Sequence, residues 1–234
     1  MKNKIVVLGS GRLASEIIAQ RDRWSWIARR WNHFDFNSTD WYHRLHGFKI
    51  VINCIANTNT YSKERDDHWK TNYTSVLNLV DYCNRANKKL IHISTDYIYS
   101  GSKENATEED IPVHNKTWYA YTKLLSDAYI QARSRDYLLI RTSFKENPWQ
   151  FDNAITTQVG NTDYTDKITS LIIQLIEKGA EGIYNVGREK SGTLYDLAIQ
   201  TKPDVIESSG ILNKYMPRDV SMNVDKMIKR LSDE

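Results

Sequence analysis

A parallel α/β sheet with helices on both faces is the fold this sequence predicts, and three observations carry the prediction. Strand-like and helix-like segments alternate from the first residues onward, the pattern of a doubly wound sheet. The segment Ile50–Ile55 is almost wholly apolar, as a strand covered on both faces must be. A glycine-bearing turn, Gly9-Ser10-Gly11, joins the first strand to the first helix.

The elements follow in order. Lys4–Leu8 reads as a strand, Arg12–Gln20 as a helix, Ser25–Ala28 and Phe34–Phe36 as short second and third strands, and Ile50–Ile55 as the next. Asp66–Ala86 is predicted helical because Val76, Leu79, Val80 and Cys83 recur at helical spacing. A strand at Lys89–Ser94, a polar loop at Ser100–Lys116, a helix at Tyr119–Ala132 and a strand at Tyr137–Arg141 come next. Lys145–Thr162 has no clear period and reads as loop around a cleft. Helix Asp163–Lys178, strand Gly182–Val186 and helices Leu194–Thr201 and Asp225–Leu231 complete the chain.

Bulk properties narrow the class of protein. At 234 residues and 40% hydrophobic content, the chain can bury one large core. That favours one sheet domain over residues 1–142 and a small region over 143–234 interleaved with the last sheet elements. No apolar run approaches the ~20 residues of a bilayer-spanning helix, and the start of the chain lacks the pattern of a secretory leader; no membrane association and a cytoplasmic location are expected. Cys54 and Cys83 lack the spacing of a metal or disulfide framework, and His68, His92 and His114 show no ligand spacing, so no metal is expected. The 32 basic and 29 acidic residues are scattered, which predicts no nucleic-acid groove. The 7 Trp and 14 Tyr then read as core and pocket walls.

Gly9-Ser10-Gly11-Arg12-Leu13-Ala14 forms a G-x-G-x-x-A loop after a strand and at the opening of a helix, the context of a dinucleotide-binding turn. Gly9 makes the tight turn, Gly11 lets a pyrophosphate approach the backbone, Ala14 allows close packing, and the helix start offers N–H donors. The fold is therefore expected to be Rossmann-type. Arg29 and Arg30 follow the second strand, with Arg12 nearby, and guanidinium groups there suit the 2′-phosphate of NADPH. Asp35-Phe36 is expected to flank the adenine; if Asp35 instead ends the second strand of the sheet, it is the ribose acid and the cofactor is NADH.

Tyr119-Ala120-Tyr121-Thr122-Lys123 places a phenol and an ammonium four residues apart on one helix face. The positive charge favours the phenolate, making Tyr119 a general acid or base, and Lys123 can also hold the nicotinamide ribose. Thr95 lies past the carboxyl end of the strand Lys89–Ser94, where open parallel sheets bind ligands, and its hydroxyl suits a substrate carbonyl oxygen.

Together these phrases resemble the extended short-chain dehydrogenase/reductase superfamily, and within it the dTDP-4-dehydrorhamnose reductase family. The resemblance rests on the Gly-rich loop, Val51-Ile52-Asn53-Cys54-Ile55-Ala56, Asn72, Ser94-Thr95-Asp96-Tyr97-Ile98-Tyr99-Ser100-Gly101 and Tyr119-x-x-x-Lys123. Arg141-Thr142-Ser143, Gln158-Val159-Gly160, Gly182-Ile183-Tyr184-Asn185-Val186 and, more loosely, Pro217-Arg218 extend it. It implies an oxidoreductase that reduces a 4-keto-6-deoxy sugar nucleotide at C4, with Thr95 and Tyr119 on the carbonyl oxygen. It further implies Cys54, Ile55, Ala56 and Asn72 beside the cofactor, and Asp96, Tyr97 and Gln158 beside the substrate. Tyr97 stands where related dehydratases carry the second acid of an Asp-Glu pair, so reduction is favoured over dehydration. The chain departs from the family in a tighter Gly-rich loop, a shortened region between the second and third strands, and about a helix less between Ser143 and Gln158. Another epimerase or dehydratase of the superfamily and a non-catalytic NADP-binding subunit remain as alternatives, and a homodimer is left open.

Overall fold

Short β-branched runs bounded by polar turns build the strands of the computed structural model, which describes residues 4–110, 112–113, 116–210 and 213–233. In chain order the first elements are β1 (Ile5–Leu8), α1 (Arg12–Gln20), β2 (Ser25–Ile27), α2 (Arg29–Asn32) and β3 (Ile50–Asn53). Next come α3 (Arg65–His68), α4 (Ser75–Arg85), β4 (Lys89–Thr95), α5 (Trp118–Arg133) and β5 (Tyr137–Thr142). Then follow β6 (Phe144–Lys145), β7 (Asn153–Ile155), β8 (Val159–Gly160), β9 (Asp163–Tyr164) and α6 (Thr165–Glu177). The last are β10 (Gly182–Val186), β11 (Gly192–Thr193), α7 (Leu194–Ala198), β12 (Ile206–Ser208) and α8 (Asp225–Ser232).

The central sheet has six strands in the order β10-β5-β4-β3-β1-β2, the Rossmann-type arrangement expected. Strand β1 pairs in parallel with β2 on one side and β3 on the other, Val7 facing Trp26 and Ile52, and β3 pairs in parallel with β4. The chain thus reverses its winding at β1, and the carboxyl ends of β1 and β3 mark the topological switch point where such sheets take ligands.

The chain divides into two compact units, one of residues 1–94 and 117–140, the other of residues 95–116 and 141–234. In the first, Val6, Val7, Leu8, Val51, Ile52, Leu90 and Ile91 are buried together with Leu13, Ala14 and Ile17 of α1. Helix α4 buries Val76, Leu79, Val80 and Cys83, the periodic stripe read from the sequence. Between α3 and α4 the backbone takes a π-helical turn over Trp69–Thr74.

The expected strand Phe34–Phe36 does not form. His33 takes φ +48°, the Asp35 carboxylate accepts the Asn37 N–H at 3.0 Å, and Phe34 and Phe36 bury their rings against Trp41 instead, at 4.6 and 6.1 Å between centroids. An Asx turn and aromatic packing thereby take the place of a ladder.

In the second unit α6 buries Ile168, Ile172, Ile173 and Leu175, and Trp149, Ala154, Ala198 and Val205 form a cluster beside it in sequence. Residues 95–116 belong here because polar groups tie them to distant chain. The buried Arg141 donates to the Tyr99 hydroxyl at 2.6 Å, and that hydroxyl donates to Asn185 Oδ1 at 2.9 Å. The Glu108 carboxylate accepts the Asn185 N–H at 2.8 Å. The segment Lys145–Thr162, expected as loop, holds β7, paired in parallel with β12, and β8, paired antiparallel with β11; two- and three-residue strands leave no readable period. A capping box, Thr193 with Asp196, opens α7. Among the described residues no helix is long and apolar enough to cross a membrane, and no group of three or more His, Cys, Asp or Glu could hold a metal ion.

Candidate active site

In the first unit the chain leaves β1 through Gly9 at φ +117°, where a Cβ would meet Ile55 Cγ1 at 3.3 Å; a side chain here would be both strained and crowded. Gly9 N–H donates to Ile27 O at 3.0 Å, and the Trp26 indole donates to Gly9 O. Ser10 is exposed. Gly11 opens α1 with no side-chain cap, no acidic residue stands in the first turn, and the space about Gly11 is open. Uncapped N–H donors at the positive end of a nine-residue helix fit an anionic group such as a pyrophosphate. Arg12 is exposed at the first helical position and Leu13 is buried.

Arg29 is exposed and starts α2 directly after β2, while the Arg30 side chain lies outside the described residues. Asp35 is exposed and follows no strand, and Phe36 is a core ring, so neither residue has the strand-end placement expected of it. After β3, the Cys54 N–H donates to Leu8 O at 3.0 Å and the Ile55 N–H to Asn53 Oδ1 at 3.0 Å, which sets Cys54-Ile55-Ala56 against the glycine turn. Asn72, on the π-helical turn, clamps the same loop: its Oδ1 accepts the Asn57 N–H at 2.7 Å and its Nδ2 donates to Asn57 O at 2.9 Å. Such turns are frequent at functional sites.

Helix α5 starts with Thr117, whose hydroxyl accepts the Ala120 N–H at 3.2 Å. Tyr119 is half-buried, its ring 6.3 Å from that of His68 and edge-on to it. One turn later Lys123 is only 1% exposed. Its Nζ donates to Ile93 O at 2.7 Å and lies 2.9 Å from His92 Nε2. Burial pushes the amine down to about 8, with Asp127 and Cys54 opposing, and burial together with Lys123 holds His92 well below the ordinary histidine range. In the sequence His92 and His68 show no ligand spacing and receive no role. The signal for His92 was present: a polar residue in the middle of an apolar strand, Leu90-Ile91-His92-Ile93.

In the second unit Thr95 caps a 3₁₀ turn over Asp96–Tyr99; its hydroxyl accepts the Tyr97 N–H and donates to Asp96 Oδ1, both at 3.2 Å. Asp96 is 2% exposed. Burial raises its carboxyl to about 7 against the Thr95 hydrogen bond and the field of Lys145. Gln158 donates to the Tyr97 hydroxyl at 3.1 Å and to Pro217 O at 3.0 Å. A Cβ on Gly160 would stand 3.7 Å from Asp96 Oδ2. Thr95, Asp96, Tyr97 and Gln158 are thus brought together, with a carboxyl near neutrality among hydroxyl and amide donors.

A turn shaped for a dinucleotide and a Tyr-x-x-x-Lys pair on a parallel α/β sheet define a Rossmann-type oxidoreductase framework. The chain belongs to the family described as RmlD substrate binding domain, whose model matches residues 3–152. It is 24% identical over 220 residues to a dTDP-4-dehydrorhamnose reductase of Aggregatibacter actinomycetemcomitans, covering 81% of this chain and 73% of that one. Solved structures share its fold. A dTDP-4-dehydrorhamnose reductase from Clostridium acetobutylicum matches with TM-score 0.82 and 20% identity over 96% of this chain and 91% of that one. Another from Bacillus anthracis, in complex with NADP, matches with TM-score 0.83 and 17% identity over 98% and 92%.

Proposed function

We propose that this protein is an NADPH-dependent reductase of a 4-keto-6-deoxy sugar nucleotide of the dTDP-4-dehydrorhamnose type, acting in the cytoplasm, with NADH as the weaker alternative cofactor. The observation that carries the reading is the Tyr119–Lys123 pair on α5, its lysine withdrawn from solvent, in a chain of this family. Gly9, Ser10, Gly11, Arg12 and Leu13 would hold the pyrophosphate, Cys54, Ile55 and Ala56 would line the cofactor, and Asn72 would fix that loop. Arg29 and Arg30 would take the 2′-phosphate, and Lys123 the ribose. The bound nicotinamide supplies the hydride that reaches C4 of the sugar. Tyr119 gives its phenolic proton to the C4 oxygen, so ketone becomes alcohol, and the Thr95 hydroxyl, turning its one proton away from Asp96, donates a hydrogen bond to the same oxygen. Asp96, Tyr97 and Gln158 contact the sugar nucleotide. Residues 1–142 would then serve the cofactor and 143–234 the substrate, with 95–116 working alongside the latter.

Tyr97 in place of a second acid supports reduction over dehydration. Incubation with NADPH and a panel of 4-keto sugar nucleotides tests the reading: NADPH should be oxidised with one of them, and Tyr119→Phe should lower kcat by about 10²–10⁴-fold while NADPH still binds. Binding of NADPH with no turnover on any ketone would point to a non-catalytic subunit instead.

A further inference from the structure

We propose that His92, held by Asn53, is a positioning residue that governs the proton on Lys123: with His92 protonated at Nε2, Lys123 is the free amine, and Asn53 favours that state. Asn53 and His92 face each other across β3 and β4 in the sheet register. Asn53 Oδ1 accepts the Ile55 N–H at 3.0 Å, which turns its Nδ2 toward His92 Nδ1 at 3.1 Å. An amide nitrogen only donates, so Nδ1 must accept, and a neutral imidazole then carries its proton on Nε2. That proton points at Lys123 Nζ, 2.9 Å away. An ammonium has no lone pair to receive it; an amine does, and still donates to Ile93 O at 2.7 Å.

The reverse arrangement leaves one buried donor against another. An ammonium donating to Nε2 needs the Nδ1–H tautomer, which then faces the Asn53 Nδ2. Flipping the Asn53 amide only moves the conflict onto the Ile55 N–H. An imidazolium carries a proton on Nδ1 as well, and this meets the Asn53 amide donor whichever form Lys123 takes. The other groups facing Lys123 are the Cys54 thiol, pushed up to about 12 and uncharged, and the Asp127 carboxylate, which opposes the amine; Tyr119 lies one turn back on the same helix. His92 is thus the group whose tautomer must change when Lys123 takes up a proton.

Two measurements test this. The first needs no activity: ¹⁵N NMR of the histidine-labelled whole chain, with six histidines to resolve and the His92 signal identified by its loss in His92→Gln. Above the Lys123 value of about 8, His92 should be the neutral Nε2–H tautomer; an Nδ1–H tautomer or an imidazolium there overturns the proposal. The second rests on the reductase reading: His92→Gln, whose oxygen can accept from an ammonium, should move the alkaline limb of the NADPH-oxidation profile up by about one pH unit. A limb that stays in place overturns the proposal. If the wild-type chain oxidises no NADPH, the reductase reading fails and the tautomer measurement still decides the role of His92.

Discussion

At Gly9 the backbone conformation and the crowding by Ile55 act together. Gly9→Ala is expected to destabilise the fold by about 1–3 kcal/mol and to abolish NADPH binding, read from urea unfolding and from quenching of tryptophan fluorescence. Asn72 satisfies both backbone polar groups of Asn57, so Asn72→Ala should cost about 1–3 kcal/mol and loosen the loop after β3, seen as faster amide exchange at Asn57. The sequence pointed to both residues for different reasons. Gly9 was legible because only glycine serves at such a turn, whereas the clamp made by Asn72 depends on a partner 15 positions away, which no local pattern records. His92 was missed for the same reason, since a buried histidine shows its use only when its neighbours on another strand and a helix are in place.

Helix α1 begins without a side-chain cap, so stability and anion binding compete at its first turn. Gly11→Asp supplies the missing cap and should raise stability by a few tenths of a kcal/mol, while its carboxylate repels phosphates and should weaken NADPH binding by about tenfold or more. Unchanged affinity would argue that the pyrophosphate does not sit at this turn. Long elements such as α1 and α4 were readable, because a buried stripe imposes helical spacing over several turns. The π-helical turn at Trp69–Thr74 and the two- and three-residue strands β6 to β9 were not. Phe34–Phe36 shows the opposite error: alternating apolar residues imitate a strand when both rings are simply buried in an aromatic cluster.

For the molecule as a whole, two buried groups set opposing pH dependences. The Asp96 carboxyl is raised to about 7, so the native state keeps this proton after the unfolded chain has lost it. Stability therefore falls as pH rises from about 4 to about 7, by roughly 2–4 kcal/mol for this group alone. Lys123 is lowered to about 8 from 10.5; the unfolded chain binds its proton longer, so the contribution of this one group to stability rises between those values. Against the contributions of the other buried groups, His92 and Cys54 among them, Asp96→Asn should remove the falling Asp96 component, read as a wild-type-minus-variant difference in urea midpoint that declines between about pH 4 and 7. A variant that retains the wild-type slope below pH 7 would show that Asp96 ionises normally.

The sequence by itself determined the parallel α/β framework, the glycine turn and the helical pairing of Tyr119 with Lys123, because strand period, turn conformation and i, i+4 spacing are local consequences of residue type. Only the tertiary structure decided that Lys123 lies buried against His92 and Ile93, that Asp96 is sealed off with Gln158 nearby in its own unit, and that residues 95–116 pack with residues 141–234. Those outcomes depend on desolvation and on hydrogen-bond partners drawn from remote parts of the chain, and neither is written in any short stretch of sequence.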